Sequence, residues 1–191
     1  MVTGINYILT GISALAVSVF GIYYKLQTFV YMPTSGITQG AMPIMGYNYG
    51  AGNKKRLLET LDYSMLICAV INLAGTFLFW VFPKEILSCF NASYEMLEIG
   101  VPALKIISIS FVAGSICFIF SCFFQALGMG GASLFITLLR QFIILLPLAF
   151  FMGNIFGLKG VWWSFIIAEF TTCICSIIIY KHHSKKDSVF K

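Results

Sequence analysis

Four charged side chains interrupt stretches of this sequence that are otherwise apolar: Lys25, Lys105, Arg140 and Glu169. A charge at bilayer depth costs at least ~3 kcal/mol unless it faces protein or water, so each needs a partner, a way out to the interface, or a function. Glu169 is the hardest to explain away. It follows Val161 by eight residues and precedes Tyr180 by eleven, so its short side chain reaches neither end of the apolar stretch. At helical spacing Phe165, Thr172 and Ser176 share its face. A carboxyl in that setting either exchanges a proton, or serves as structural partner to Arg140 or to a backbone donor. Arg140, six residues before Pro147, reads as a pairing residue rather than a solute contact. Lys105 lies within a turn or two of a stretch end and can snorkel to the interface.

A second group is spread along one segment. Ser18, Gly21, Lys25, Thr28, Met32, Ser35 and Gln39 recur at alternating spacings of three and four, which lines them up on one side of a helix. Two uses fit such a stripe. One is a close-packed helix seam, which Gly36 and Gly40 on the same segment also suggest. The other is the wall of a polar path, because a lysine contributes nothing to a tight seam.

The elements that would carry these groups are membrane helices. The chain has 191 residues, 59% of them apolar and 10% charged, with a mean hydropathy of +0.92, whereas soluble domains are about a quarter charged. The composition predicts an all-α, multi-pass integral membrane helix bundle. Spans are expected at about 13–46, 57–82, 95–125, 134–152 and 161–180. Residues 1–10 fall short of the ~20 needed to cross. The first span is long because IYYKLQTF holds no turn signal, whereas Thr10-Gly11-Ile12-Ser13 does. At ~1.5 Å per residue it exceeds the ~30 Å hydrocarbon core. Pro33 is expected to bend it by freeing the carbonyl of Phe29. Ser110, Gly114, Cys117 and Ser121 form a small-residue face suited to close packing. A short amphipathic stretch is expected in the loop from Pro83 to Tyr94, and a plain loop from Gly153 to Gly160.

Charge sets the orientation. Lys54, Lys55, Arg56, Lys181, Lys185, Lys186 and Lys191 fall on one side of this arrangement, against Lys84 and Lys159 on the other. By the positive-inside rule the larger group is cytoplasmic, with the carboxy terminus. The net charge of +5 therefore reads as orientation. The cations are not interleaved with exposed aromatics as a nucleic-acid surface requires, so no nucleic-acid partner is expected.

Enzymatic signatures are missing: the sequence has no HExxH, no GxSxG and no P-loop. Five cysteines (Cys68, Cys117, Cys122, Cys173, Cys175) lie in apolar stretches and Cys89 in a loop, with no CxxC, so they read as packing rather than as a metal or disulfide framework. No cofactor and no metal are expected.

The stretch from Gly36 to Arg56 carries a resemblance. Lys25-Leu26-Gln27, Met32-Pro33, Gly36, Gln39-Gly40, Pro43 and Tyr47-Asn48-Tyr49-Gly50-Ala51-Gly52-Asn53 follow one another as in the second helix of a half-transporter of the multidrug and toxic compound extrusion (MATE) family. Gln125-Ala126-Leu127-Gly128, Leu139-Arg140-Gln141, Leu146-Pro147-Leu148, Phe156-Gly157-Leu158 and Gly160-Val161-Trp162-Trp163 extend it over nearly the whole chain. The order resembles the carboxy-terminal lobe, with residues 1–10 the tail of that lobe's first helix and an amino-terminal lobe missing. The resemblance implies an inner-membrane exporter of small organic, often cationic, compounds driven by H⁺ or Na⁺. Transport-path candidates are then Lys25, Thr28, Ser35, Gln39, Glu169 and Thr172, with Pro33 as helix bend and Tyr47, Asn48, Gly50 and Gly52 as a cytoplasmic loop motif. Some members of the family place cation-binding acids in the first and fourth helices of this lobe. Here the first is mostly absent and the fourth has no acid beyond its outer end, which leaves the coupling ion open. Two other readings remain: a lipid-linked saccharide flippase of the same superfamily, and a non-transporting membrane remnant.

Overall fold

The computed structural model describes residues 1–185, and among them the secondary structure is helical throughout. The end of the basic tail, with Lys186 and Lys191, lies outside the described residues. The elements are α1 (Val2–Thr10), α2 (Ala14–Gly50), α3 (Lys54–Val81), α4 (Pro83–Ser88), α5 (Tyr94–Ser108), α6 (Ser110–Ala126), α7 (Gly130–Leu138), a π-helical segment (Leu139–Ile144) and α8 (Leu145–Lys185).

The long α2 is helical through both Pro33 and Pro43. Its buried positions, among them Ala16, Val19, Phe20, Tyr23, Thr34, Thr38, Ala41 and Met45, lie on one side. Ser18, Gly21, Lys25, Thr28, Met32, Ser35 and Gln39 are all exposed on the other. The expected end at Gly46 is too early. Tyr47, Asn48 and Gly50 are the last helical turn, because Asn48 is buried and donates from Nδ2 to the Ile44 carbonyl at 2.8 Å instead of breaking the helix. The turn itself is residues 51–53, where Gly52 takes φ +69. Asn53 caps α3 by accepting the Arg56 N–H at 3.1 Å.

A single helix over 95–125 is also corrected: α5 and α6 meet at Ile109 with a bend of 45°. The cause is local. Ser108 and Ser110 donate to the carbonyls three residues back, Lys105 at 3.1 Å and Ile107 at 2.7 Å, a pattern that bends helices. From α3, Trp80 Nε1 donates to the Lys105 carbonyl at 3.0 Å and the Thr76 hydroxyl to that of Ser108 at 2.9 Å, filling the opened ladder. Asn72, fully buried, donates at 2.8 Å to both the Thr34 hydroxyl and the Cys68 carbonyl, which ties α2 into the same network.

The α8 segment doubles back at Gly157, whose φ 59 and ψ −145 are not helical. In a straight helix Arg140 and Glu169 would stand ~43 Å apart. They form an ion pair instead, and a methyl at Gly160 would run into the Met152 carbonyl. The expected loop at 153–160 is therefore a single-residue reversal, with arms that stay helical on both sides. Gly130–His183 and Lys54–Val81 are each long and apolar enough to cross a membrane, and the bent pair α5–α6 qualifies jointly. Length alone would admit α2, but it is not among them by composition, since its middle carries Gln27, Thr28, Thr34, Ser35, Thr38 and Gln39.

Two apolar clusters lie toward opposite ends of α2. One gathers Phe20, Tyr23, Phe111, Trp162 and Phe165, with Tyr23 and Phe165 edge-on at 6.0 Å. The other gathers Met45, Leu57, Phe120, Phe123 and Phe124 beside the α2–α3 turn. Leu66, Val70, Leu73 and Phe77 on α3, Phe142 in the π-helical segment, and Phe150, Phe151 and Ile155 on the arm that leads to Gly157 are at least half exposed. A contiguous apolar exterior of this kind suits lipid rather than water.

Candidate functional site

Beside the first cluster, which lends it Leu145 and Phe165, lies a cavity of about 610 Å³. Tyr24, Gln27, Thr28, Tyr31, Met32 and Ser35 of α2 form one wall, and Phe118, Arg140, Gln141, Leu145, Phe165 and Glu169 the facing one, with residues 1–3 at its edge. The π-helical segment places both Arg140 and its neighbour Gln141 on that wall. Such wide turns inside α-helices are frequent at functional sites.

Arg140 Nη1 stands 3.6 Å from Glu169 Oε1, with the two side chains only 13% and 12% exposed. The guanidinium carbon also lies 4.6 Å from the centroid of the Phe118 ring, a cation–π contact. The second carboxylate oxygen, Oε2, is buried without a hydrogen-bond partner among the described residues. It sits over Gly114, where a methyl would come within 3.2 Å of it and would strike the Tyr31 hydroxyl. That hydroxyl donates weakly to the Phe111 carbonyl at 3.4 Å. Gly114 is thus the space in which Tyr31 and Glu169 meet.

The small-residue face of α6 is close-packed along its length. Ser110 is buried, Cys117 packs with Cys173 of α8, and the Ser121 and Ser133 hydroxyls lie 2.6 Å apart between α6 and α7. Chemically the cavity offers one carboxylate, one guanidinium, aromatic faces and several amide and hydroxyl groups. It can hold an amphipathic guest, and nothing in it is arranged as nucleophile and base.

The structure brings four of the expected residues to this cavity: Thr28, Ser35, Glu169 and Arg140. Lys25 and Gln39 lie on the exposed side of α2 outside it. Thr172 is fully buried and donates to the Ala168 carbonyl of its own helix at 2.8 Å, so it faces neighbouring helices instead. Tyr47, Asn48 and Arg56 line a second cavity of about 470 Å³ beside the α2–α3 turn. Tyr24, Tyr31, Gly114 and Phe118 were not legible as site residues. For the tyrosines a signal existed, since Tyr24, Thr28, Tyr31 and Ser35 repeat at four, three and four; for Phe118, one aromatic in an apolar run, none did.

Comparison with known proteins fixes the family. The sequence model of MatE matches residues 3–151 of the chain. The chain belongs to the MatE family. A curated relative, the multidrug export protein MepA of Staphylococcus haemolyticus, is 30% identical over 184 residues, covering 94% of this chain and 40% of that protein. Two solved structures are described as the outward-facing and the inward-facing conformation of a multidrug resistance MATE family transporter of the MOP superfamily. Each superposes with a TM-score of 0.89 at 21% identity. The outward-facing one covers 95% of this chain and 41% of that chain, the inward-facing one 97% and 44%. This MatE chain therefore spans about two-fifths of the length of the relatives it matches. Its all-helical bundle is the fold of part of a MATE transporter, and the proteins it resembles are membrane transporters rather than enzymes.

Proposed function

We propose that this MatE chain is the carboxy-terminal lobe of a two-lobed secondary multidrug exporter. It would extrude small organic, often cationic, compounds across the cell (inner) membrane in exchange for H⁺ or Na⁺. The observation that carries the reading is the cavity. Its α2 wall belongs to the exposed face that a second lobe would cover, and it holds a mostly buried carboxylate. Alternating access places the solute site between two repeats, each contributing one wall. The equal likeness of this fold to outward- and inward-facing structures supports a lobe that keeps its interior while rocking against its neighbour.

In this reading Thr28, Ser35 and Glu169 touch the path, and Arg140 poises Glu169. Lys25 and Gln39 meet the amino-terminal lobe across the cleft, and Thr172 supports the Glu169 helix from behind. The α2–α3 turn and the carboxy terminus are cytoplasmic, and no cofactor is needed. The test joins this chain to the amino-terminal portion of S. haemolyticus MepA, in place of the region it aligns with. Cells carrying the hybrid in their membranes are expected to accumulate several-fold less ethidium than cells without it, and dissipating the ion gradients should abolish the difference. Equal accumulation by a hybrid shown to be inserted and folded would remove the exporter reading.

A further inference from the structure

We propose that Arg140 is a tethered stand-in for the transported cation. It occupies the Phe118 ring and the Glu169 carboxylate that a lipophilic organic cation would use, so a ligand binds by displacing it. The proposal rests on the exporter reading above and adds a built-in competitor to it. Aromatic face and carboxylate together are what recognise an organic cation, and Arg140 holds both, at 4.6 Å and 3.6 Å.

The hold is loose. A fork-to-fork arginine pair brings two nitrogens within ~2.9 Å of two oxygens, whereas here the separation is 3.6 Å and Oε2 is left buried without a hydrogen-bond partner among the described residues. The other ionisable groups that act on or feel Glu169 are Tyr23 and Tyr31 from α2, Cys117 from α6 and Cys173 on its own helix. None of these is a cation, so among the described residues Arg140 is the carboxylate's one positive partner. A second positive charge entering the same cavity competes with the first. The space suffices, since 610 Å³ falls within the ~300–1,000 Å³ of drug-sized sites. The π-helical segment gives the arginine a way out, because a one-residue return to α register turns its side chain by ~100° about the helix axis.

The experiment measures equilibrium binding of ethidium to the MepA–chain hybrid in nanodiscs at pH 8 by fluorescence anisotropy. Arg140→Gln is expected to bind about tenfold tighter than the parent, and Arg140→Lys to remain close to it. Glu169→Gln should weaken binding at least tenfold, alone or combined with Arg140→Gln. Nile red, uncharged and of similar size, should bind parent and Arg140→Gln alike, which separates lost competition from a merely larger cavity. Should Arg140→Gln fail to fold, Arg140→Met replaces it, and Phe118→Leu in the native background is expected to weaken ethidium binding several-fold. Unchanged or weaker ethidium binding on removal of Arg140, or an equal gain for Nile red, overturns the proposal. Ethidium export by the parent hybrid in that event leaves the exporter reading standing.

Discussion

Glu169 has two oxygens with different fates, one facing Arg140 at 3.6 Å and one buried beside Gly114 with no hydrogen-bond partner among the described residues. Replacing it by Gln keeps the shape and an acceptor for Arg140 but cannot release a proton or balance a cation. Glu169→Gln in the assembled transporter is therefore expected to lower dye efflux several-fold with expression near normal, as measured by ethidium accumulation and immunoblot. Normal efflux with unchanged pH dependence would reduce Glu169 to a packing residue. Gly114→Ala tests the space beside it. The added methyl forces Tyr31 and the carboxylate apart, an overpacking cost of ~1–3 kcal/mol, and should lower the thermal midpoint by several degrees in fluorescence-detected size-exclusion. A midpoint equal to the parent's would show that Tyr31 yields without strain. The two charges at this site were legible in the sequence because an ion inside an apolar run is costly and demands an account. Phe118 and Gly114 were not, because an aromatic or a glycine in such a run is ordinary core until its neighbours across helices are known.

At the scale of elements, the reversals decide which residues meet. Gly157, at φ 59 and ψ −145, holds a conformation that residues with a Cβ adopt only at ~1–3 kcal/mol or more. Gly157→Ala should loosen the antiparallel register that sets Arg140 against Glu169, lowering both thermal midpoint and efflux. Retention of both would mean that the helical arms fix the register unaided. The sequence marked this reversal with glycines yet suggested a broader loop, since three glycines in eight residues look alike until one takes the positive φ. The bend at Ile109 was invisible for another reason: its determinants are serines on one helix and donors Thr76 and Trp80 on another. The end of α2 was misjudged because Asn48, a residue that often breaks helices, back-bonds within one. Orientation is tested on α3, whose 28 residues rise ~42 Å and separate Asn53 from Lys84. With Cys89 replaced, a cysteine at Lys84 should react with an impermeant thiol reagent outside intact cells, and one at Asn53 should not. External labelling at Asn53 would invert the topology.

The whole molecule presents one finished side and one unfinished side. Helices α3, α6 and α8 close around a core, while the stripe from Ser18 to Gln39 and the cavity behind it remain open. Gly36 and Gly40, which suggested a tight seam, have no atom of another helix among the described residues within 4 Å of a would-be Cβ, so they serve no seam with those residues. Left facing lipid, a lysine and a polar cavity would cost several kcal/mol; facing a second lobe, they become half of a path. The most direct measurement of this central claim is ethidium accumulation in cells that carry these 191 residues alone, with membrane insertion confirmed by immunoblot, beside cells that also carry the amino-terminal portion of MepA. The two-lobe account predicts no export by the chain alone and export when the second lobe is supplied. Energy-dependent export by the chain alone would contradict it, and would mean that a single lobe builds both walls of the path from copies of itself.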